Sequence, residues 1–479
     1  MADTVKRGRL ADLTIALSLA SDLGTGQPLE HGLRTCLLSL KVAESMGLDG
    51  PTCSCVYHVA LLRFLGCTSD ASEAAVVAGG DDVAFNSVFA PMLNAQPVES
   101  LRFFVRHLGE DLPVGRRIAL VARALSDPGA GRRSLSAHCE AAARLAGRLG
   151  MPDSVRDSLA HAYERWDGKG YPEGLSGEAV PVAIRVVAAA RDTELWVREA
   201  GWTTAAEVLA HRRGRAYDPA VVDALSADGE QWLAGMGHDL GATVLDAEPA
   251  PALTIAEGRI DEALGAVADF ADLKSPFLRG HSPGVASLAA AAADAAGLSR
   301  DGSIALFRAG MVHDVGRVGV ASGTWDRPGA LSPEQWERAR LHTYFGERVL
   351  ARCELLAPYG QLAARHHERA DGSGYHRGLA GDQLSLPARL LAAADAYRAM
   401  VEDRPHRPAH APADAASLLL GEVDAGRLGR VEVDVLRLIA RGLVNKQVAA
   451  RLGISPKTVG HHIEHIYAKA GVTTRAGAT

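Results

Sequence analysis

The sequence predicts an all-α protein in which two related helical bundles in tandem are followed by a small helix-turn-helix domain. Three observations lead to this prediction. The 479 residues are 47% hydrophobic but only 5% aromatic, and alanine is abundant while β-branched runs are few, which favours helices. A long segment recurs about 200 residues later in the chain. The last part of the chain shows short helical patterns separated by Gly-Ile-Ser and Gly-Val turns.

The first bundle is predicted over residues 9–228 because it repeats the second. The segment AYERWDGKGYPEGL, which begins at Ala162, matches HHERADGSGYHRGL, which begins at His366, at a constant offset of 204 residues. His31 matches His281 at a different offset, 250 residues. The first copy therefore carries an insertion of 46 residues between Gly66 and His138.

The second bundle, predicted over residues 255–418, gathers side chains that suit a metal centre. Imidazole and carboxylate groups are the ligands that Fe, Mn or Zn prefer. Seven of them are more than one ion needs, so we predict a two-metal site with Asp314 as the bridging carboxylate. Two ions in such a site activate water and bind phosphoester oxygens, which predicts phosphoester hydrolysis. The seven candidate ligands are His281, His313, Asp314, His342, His366, His367 and Asp395.

The segments around these ligands make a family recognisable. HDVGRVGV, LSPEQWERARLH and HHERADGSGYHRGL resemble the HD-GYP branch of the HD phosphohydrolases. The resemblance implies two HD-domain-like helical bundles, a centre of two divalent ions (Fe or Mn) held by the seven residues, and hydrolysis of a cyclic dinucleotide such as cyclic di-GMP. It further implies that Asp314 and Arg317 are catalytic, and that Arg317, Gly374 and Tyr375 bind substrate.

The second copy departs from the family pattern at three positions. His376 replaces the proline of the signature loop, and the loss of a fixed φ angle predicts a looser loop. Arg317 stands where a lysine is usual, and its planar guanidinium is not equivalent to an ammonium group at a phosphate. Thr343 follows His342 where the family prefers proline.

The first copy lacks most of the ligands, and we expect no metal centre there. Its Gly170-Tyr171-Pro172 loop is intact and is expected simply to turn the chain between helices. A sharper hypothesis is that this copy is a pseudo-dimer partner or a ligand-sensing lobe, in which two arginines receive a phosphate. It keeps His31 and His138, but the other five positions hold Arg63, Phe64, Ala162, Tyr163 and Arg191.

The third domain is predicted over residues 425–479. Residues 448–452 form a first helix, Gly453-Ile454 a turn, and Ser455-Pro456 the start of a second helix. The segment resembles a LuxR-type DNA-binding domain, which implies a partner of double-stranded DNA. From Arg427 onwards the net charge is +6, against −12 for the rest, as a DNA-binding module requires. The candidate DNA contacts are Lys446, Ser455, Lys457, Thr458, His461 and His462.

Other features limit where the protein acts. No apolar stretch approaches the ~20 residues of a membrane span, and the N-terminal segment lacks the apolar core of a signal peptide. We therefore expect a cytoplasmic protein without a membrane partner. The six cysteines are predicted to be buried reduced thiols. Residues 79–82, Gly-Gly-Asp-Asp, are predicted to form a solvent-exposed turn.

Two classes of function remain in competition at this point. The filled ligand set favours a DNA-binding transcriptional regulator that also hydrolyses a cyclic dinucleotide. The degenerate first copy and the altered loop favour a nucleotide-sensing transcription factor without turnover, and a hydrolase of another phosphoester is a further alternative. A homodimer is possible, since LuxR-type domains often bind DNA in pairs.

Overall fold

The computed structural model describes residues 8–109, 113–127, 129–430 and 432–434. These residues are mainly helical with almost no sheet, which confirms the predicted all-α class. The strands among them, β1 (Gly8–Arg9) and β2 (Thr254–Ile255), form one short antiparallel ladder. The predicted DNA contacts lie outside the described residues: Lys446, Ser455, Lys457, Thr458, His461 and His462.

The α-helices of the described residues are numbered in chain order. The first thirteen are α1 (Leu10–Gly24), α2 (His31–Ser45), α3 (Gly50–Leu62), α4 (Ala71–Val77), α5 (Asp82–Phe89), α6 (Pro97–His107), α7 (Val114–Leu125), α8 (Ala130–Leu149), α9 (Asp153–Ala160), α10 (Val182–Arg212), α11 (Pro219–Ala234), α12 (Leu240–Asp246) and α13 (Ile260–Asp272). The others are α14 (His281–Ala295), α15 (Arg300–Val312), α16 (Ser322–Trp325), α17 (Pro333–Leu350), α18 (Ala357–Ala363), α19 (Leu386–Met400) and α20 (Pro412–Asp424).

The chain divides into two compact units whose limits differ from those of the sequence repeat. The first unit runs to Ser275 and also takes in Val318–Trp325 and Arg352–Leu355. Helix α13, which the repeat assigns to the second copy, belongs to this first unit and packs on α8. The second unit contains α14, α15, α17, α18, α19 and α20.

The core of the second unit explains the high alanine content. Helices α14, α15 and α19 pack through fully buried small residues such as Ala289, Ala309 and Ala393. At Gly310 helices α14 and α15 approach each other closely, because an added Cβ would lie 2.6 Å from the Cα of Ala286. Small residues bring the helix axes together, and they fix the end of α15, where the His313-Asp314 doublet follows.

Two glycine contacts repeat in the two copies at the offsets read from the sequence. Gly66 packs against the carbonyl of His138, and Gly316 packs against the carbonyl of His342. A Cβ at either glycine would collide with backbone, so glycine is required at both sites. The repeat therefore preserves the close approach of two helices even where the metal ligands have been lost.

The insertion in the first copy is anchored by a buried ion pair. The predicted turn is present at residues 78–80 and exposes Gly79, but Asp82 is only 1% exposed, in contrast to the prediction. One of its carboxylate oxygens lies 2.5 Å from Nζ of Lys274, which is also 1% exposed. The other oxygen accepts a hydrogen bond from the backbone N–H of Ser322 at 2.6 Å. The remaining acidic residue of the motif, Asp81, caps α5 by accepting from Ala84 N–H at 2.9 Å.

Two further expectations can be compared with these residues. All six cysteines are free thiols and are buried, as predicted. Among the described helices, none combines the length and the apolar character of a membrane span.

Candidate metal centre

The structure brings all seven predicted ligands to one buried place in the second unit. His281 is the first residue of α14, and His313-Asp314 directly follows α15. His342 lies within α17 and Asp395 within α19, while His366 and His367 follow α18. The residues form three overlapping groups close enough to hold ions: His281, His313 and Asp395; His313, Asp314 and His366; and His342, His366 and His367.

Asp314 lies between two sets of histidines. Its Oδ2 is 3.1 Å from Nε2 of His313 and 3.5 Å from Nε2 of His281. Its Oδ1 is 3.4 Å from Nε2 of His366 and 3.6 Å from Nε2 of His342. Each oxygen thus faces a different pair of imidazoles, which is the arrangement that a bridging carboxylate requires.

Asp395 contributes a second carboxylate to the same cluster. Its Oδ1 lies 3.1 Å from Nε2 of His281 and 3.8 Å from Nε2 of His313. Its Oδ2 lies 3.7 Å from Nδ1 of His367. Asp395 therefore belongs mainly to the group formed by His281 and His313, and it reaches the other group through His367.

The imidazole rings are oriented by hydrogen bonds from their outer nitrogens. Nδ1–H of three histidines donates to the carbonyl oxygen three residues earlier, at 2.6 to 2.7 Å: His313, His342 and His366. His281 instead lies with Nδ1 2.8 Å from the carboxylate of Glu402. Such contacts fix the tautomer and direct the Nε2 lone pair inwards, as in histidine sites that bind metal.

The buried polar atoms of the cluster fit a metal ion. Asp314 and Asp395 are both buried and converge with the inward-facing nitrogens of the histidines. The guanidinium of Arg317 balances only one of the two carboxylate charges, and divalent cations between these donors would stabilise both. The nitrogen and oxygen donors match the preferences of Fe, Mn and Zn. The residues present therefore fit divalent metal ions.

The protonation of the cluster differs between its two sides. Burial lowers the pKa of His313, but the carboxylate of Asp314 outweighs this effect and raises that pKa to about 10. Burial also favours the neutral form of His281. The hydrogen bonds to Asp395 and Glu402 outweigh this effect and raise the pKa of His281 above its usual value. Burial lowers the pKa of His342 to about 3. The side with His281 and His313 thus holds protons that a metal ion would displace, while the side with His342 offers neutral imidazole.

Arg317 lies next to Asp314. Its Nε is 2.8 Å from Oδ1 of Asp314, and the side chain is buried. Against the effect of burial, the guanidinium and the neighbouring His313 hold the pKa of Asp314 well below its usual value. The residue assigned from the sequence to substrate phosphate therefore also keeps the central carboxylate ionised.

A cleft of about 610 Å³ opens beside the cluster. Gly374 and Tyr375, predicted to bind substrate, line it, and the Tyr375 ring lies 4.8 Å from that of His367. The guanidinium of Arg340 lies 5.6 Å from the Tyr375 ring. Other residues that line the cleft were not predicted from the sequence, among them Trp336, Arg340, Arg369 and Arg427.

Two of these residues could have been predicted from their spacing in the sequence. Trp336 and Arg340 are four residues apart on α17, so they share a helix face. They also lie on the helix that carries His342, which places that face next to the ligands. Arg427 carried no comparable signal, because it is far along the chain from the signature loop and reaches the cleft only through tertiary packing.

The signature loop is tied to α17 by residues that depart from the family pattern. Nδ1 of His376 lies 3.1 Å from Oγ1 of Thr343, and Nε2 of His376 lies 3.0 Å from a carboxylate oxygen of Glu347. Arg377 donates to the same carboxylate at 2.7 Å. Contrary to the expectation of a looser loop, the histidine that replaces proline fastens the loop through side-chain contacts.

Three of the corresponding residues of the first copy are paired with other side chains. His31 Nδ1 contacts the carboxylate of Glu194, and His138 Nε2 lies 2.5 Å from Oδ1 of Asp70. Arg191 occupies the position of Asp395 and pairs with the neighbouring Asp192. The potential metal groups found among the described residues all lie in the second copy.

Comparison with known proteins agrees with this architecture. The HD domain family model matches residues 129–221 and 265–430, and the model for bacterial regulatory proteins of the luxR family matches residues 427–479. The chain is 28% identical over 418 residues to the 3'3'-cGAMP-specific phosphodiesterase 3 of Vibrio cholerae, covering 86% of this chain and 90% of that protein. It is 32% identical over 148 residues to the cyclic di-GMP phosphodiesterase of Thermotoga maritima, covering 30% of this chain and 39% of that protein.

A solved structure shows the same fold. The crystal structure of a cyclic GMP-AMP specific phosphodiesterase from V. cholerae superposes with a TM-score of 0.63 at 24% sequence identity. The match covers 91% of this chain and 99% of the other. The tandem arrangement of helical bundles is therefore shared over nearly the whole length of that protein.

Proposed function

Because the chain belongs to the HD domain family and ends in a luxR-family domain, we propose that it is a DNA-binding regulator whose second HD domain is a metal-dependent phosphodiesterase acting on a cyclic dinucleotide. The family membership confirms the resemblance read from the sequence motifs. Relatives named as phosphodiesterases of 3'3'-cGAMP and of cyclic di-GMP support this class of substrate.

One observation carries the proposal: the two oxygens of Asp314 face separate pairs of histidines. In the proposed site, His281, His313 and Asp395 hold one ion, and His342, His366 and His367 hold a second. Fe or Mn suits this mixture of imidazole and carboxylate. When bound, such a pair of ions supplies a nucleophilic hydroxide and neutralises phosphate charge.

The chain's own residues then bind and orient the nucleotide. Arg340 and Arg369 line the cleft beside His367, where positive charge attracts the phosphodiester. Tyr375 contributes an aromatic wall and Gly374 permits close backbone packing, since its Cβ would collide with Arg369. Arg317 keeps Asp314 ionised, and we propose that its guanidinium also contacts the phosphate during the reaction.

The signature loop is bonded to the point where the luxR-family segment begins. The backbone N–H of Ala370 donates to the carbonyl oxygen of Arg427 at 3.0 Å. Leu428 and Val433, which follow, are part of the apolar core of the second unit. We propose that the state of the cleft is transmitted to DNA binding through this short connection.

A second candidate function is nucleotide sensing without turnover. The observation that favours it is the contact of Arg317 with Asp314, since a fixed guanidinium supplies a positive charge beside the central carboxylate. In that case the cleft binds a cyclic dinucleotide, and only the DNA-binding response follows.

Hydrolysis of cyclic di-GMP and of 3'3'-cGAMP by the full chain loaded with Mn²⁺ or Fe²⁺ tests the proposal. The His342→Ala variant removes a proposed ligand, and His138→Ala removes the equivalent histidine of the first copy as a matched control. We expect product from the wild type and from His138→Ala, and a loss of at least about 100-fold with His342→Ala. Nucleotide binding without product, in protein that retains metal, would instead establish the sensor.

A further inference from the structure

A small buried cavity occupies the place in the first copy that corresponds to the metal centre of the second. Its volume is about 10 Å³, enough for one group of roughly the size of a water molecule. His31, Arg63 and Arg191 line it, and by the repeat offsets these residues match His281, His313 and Asp395. Ser21 and Thr35 complete its polar wall.

The polar groups on this wall lack hydrogen-bond partners to an unusual degree. Arg63 is 2% exposed, and none of its three guanidinium nitrogens makes a hydrogen bond. The hydroxyl groups of Ser21 and Thr35 and Nε of Arg191 are also buried without a hydrogen-bond partner. Buried polar groups are nearly always satisfied, so this convergence indicates a bound group that accepts several hydrogen bonds at once.

The charge around the cavity is positive. Asp192 pairs with both Arg191 and Arg212. It also accepts hydrogen bonds from Asn94 and Tyr217. Glu194 is similarly engaged with His31. Arg63 forms no salt bridge among the described residues, so no carboxylate contacts its guanidinium directly.

The other groups near Arg63 cannot both balance its charge and accept its hydrogen bonds, as an anion would. The rings of Tyr163 and Phe64 lie 5.6 and 5.9 Å from the Arg63 guanidinium. Aromatic faces attract the charge but leave the in-plane N–H donors without acceptors. Asp22 also lines the cavity, but it accepts from the backbone N–H of Gly32, and burial raises its pKa well above the usual value. A water molecule would accept hydrogen bonds but would leave the charge uncompensated.

We propose that the first HD copy binds a single chloride-sized monovalent anion between Arg63, Arg191 and the hydroxyl groups of Ser21 and Thr35. The small free volume of the cavity favours a monatomic anion, and the phosphate hypothesised from the sequence stays the alternative that the experiment below distinguishes. The first copy has Arg63 and Arg191 where the second has His313 and Asp395, so the sign of the charge that the site can bind is reversed. Fixed cations hold a mobile anion in the first copy, where fixed histidines and carboxylates suit mobile cations in the second.

Bound anion stabilises the first unit by mass action, which provides a test in solution. Thermal unfolding of the full chain is recorded at constant ionic strength while chloride replaces isethionate. At a chloride concentration about tenfold above the dissociation constant, we expect Tm to be higher by about 3 °C. Equal Tm values in the two salts, or protection by phosphate but not by chloride, would overturn the proposal.

Variants separate this effect from general salt dependence. Arg63→Met removes the unpaired charge and is expected to abolish the chloride response. Arg165→Met serves as the matched control, because Arg165 is also buried in the first unit but is fully paired with Asp167. It should lower Tm while keeping the response. If Arg63→Met does not fold, Thr35→Val, which removes one hydroxyl donor, is expected to weaken chloride affinity about 5- to 10-fold.

Diffraction locates the anion directly. Crystals of the full chain grown or soaked in bromide should give an anomalous peak within hydrogen-bond distance of the Arg63 guanidinium. A peak of that kind in the wild type, its absence in Arg63→Met and a lower occupancy in Thr35→Val support the assignment. Ordered water at this position in bromide-soaked wild-type crystals would contradict it.

Discussion

Asp314 and its neighbours show how single residues set the chemistry of the second HD domain. Its two oxygens face different histidines, and Arg317 and His313 keep it ionised. The identity of these residues could be read from the sequence, because their types and spacing match one family. Their pairing could not, because it depends on how the ends of α15 and α18 meet across the core.

The raised pKa values on one side of the cluster predict proton release on metal binding. The pKa of His313 is about 10, so this imidazole is protonated at pH 7.5 in metal-free protein, whereas a metal ligand must be neutral. Calorimetric titration with Mn²⁺ in buffers of different ionisation enthalpy should reveal about one proton or more released per chain. The same pKa predicts that metal affinity increases from pH 6 to pH 9. A binding enthalpy independent of the buffer would contradict this.

At the scale of helices, the 46-residue insertion was visible in the sequence but its anchoring was not. Asp82 lies in a run that reads as a solvent turn, and Lys274 is almost two hundred residues away. Only the packed structure places both in one buried ion pair. Pairs of this kind leave no periodic or local pattern, and for that reason sequence analysis cannot find them.

Loss of one member of this pair is expected to destabilise the first unit. Asp82→Asn leaves the buried ammonium group of Lys274 uncompensated, and a loss of about 3–5 kcal/mol in the free energy of unfolding follows. Chemical denaturation measures the change. Asp81→Asn is the matched control, since asparagine also caps a helix and should change stability by less than about 0.5 kcal/mol. Similar effects of the two substitutions would show that the ion pair is unimportant.

The signature loop illustrates a second limit at this scale. The replacement of proline by His376 predicted a looser loop, yet the histidine contacts Thr343 and Glu347 on α17. Two of the three positions that depart from the family pattern, His376 and Thr343, contact each other. Each departure looked like a loss when considered alone, and the compensation is visible only when the loop and the helix are seen together.

Removing the His376 contacts should weaken substrate binding. His376→Ala frees the loop that carries Tyr375 into the cleft, and we expect KM for the cyclic dinucleotide to rise about 3- to 10-fold with a smaller change in kcat. Steady-state kinetics, or nucleotide affinity measured directly, records the effect. Arg377→Ala removes an exposed contact to the same Glu347 and should have little influence. An unchanged KM in His376→Ala would show that the loop does not depend on these contacts.

At the scale of the whole molecule, the sequence predicted the tandem repeat and the terminal luxR-family domain, both of which the family matches support. It did not predict the division into compact units. Helix α13 opens the second copy in sequence but packs in the first unit, on α8. The limits of a repeat are set by sequence similarity along the chain, whereas the limits of a compact unit depend on which apolar faces pack against each other.

The hydrogen bond from Ala370 to Arg427 predicts a coupling between nucleotide and DNA. A cyclic dinucleotide bound to the metal-loaded chain should change its affinity for a DNA fragment selected from a random library by about 5- to 150-fold. Because linkage is reciprocal, the same DNA must change nucleotide affinity by an equal factor. Fluorescence anisotropy with each ligand in turn measures both. A DNA affinity that does not change with nucleotide would show that the luxR-family domain is not coupled to the cleft.

The central claim, that Asp314 joins two metal positions in a working phosphodiesterase, is tested most directly by titrating Mn²⁺ into metal-free protein and recording cyclic dinucleotide hydrolysis at each metal content. We predict little product up to about one ion per chain and a steep rise as the content approaches about two. Full activity at one ion per chain, or no hydrolysis with both positions filled, would contradict the account.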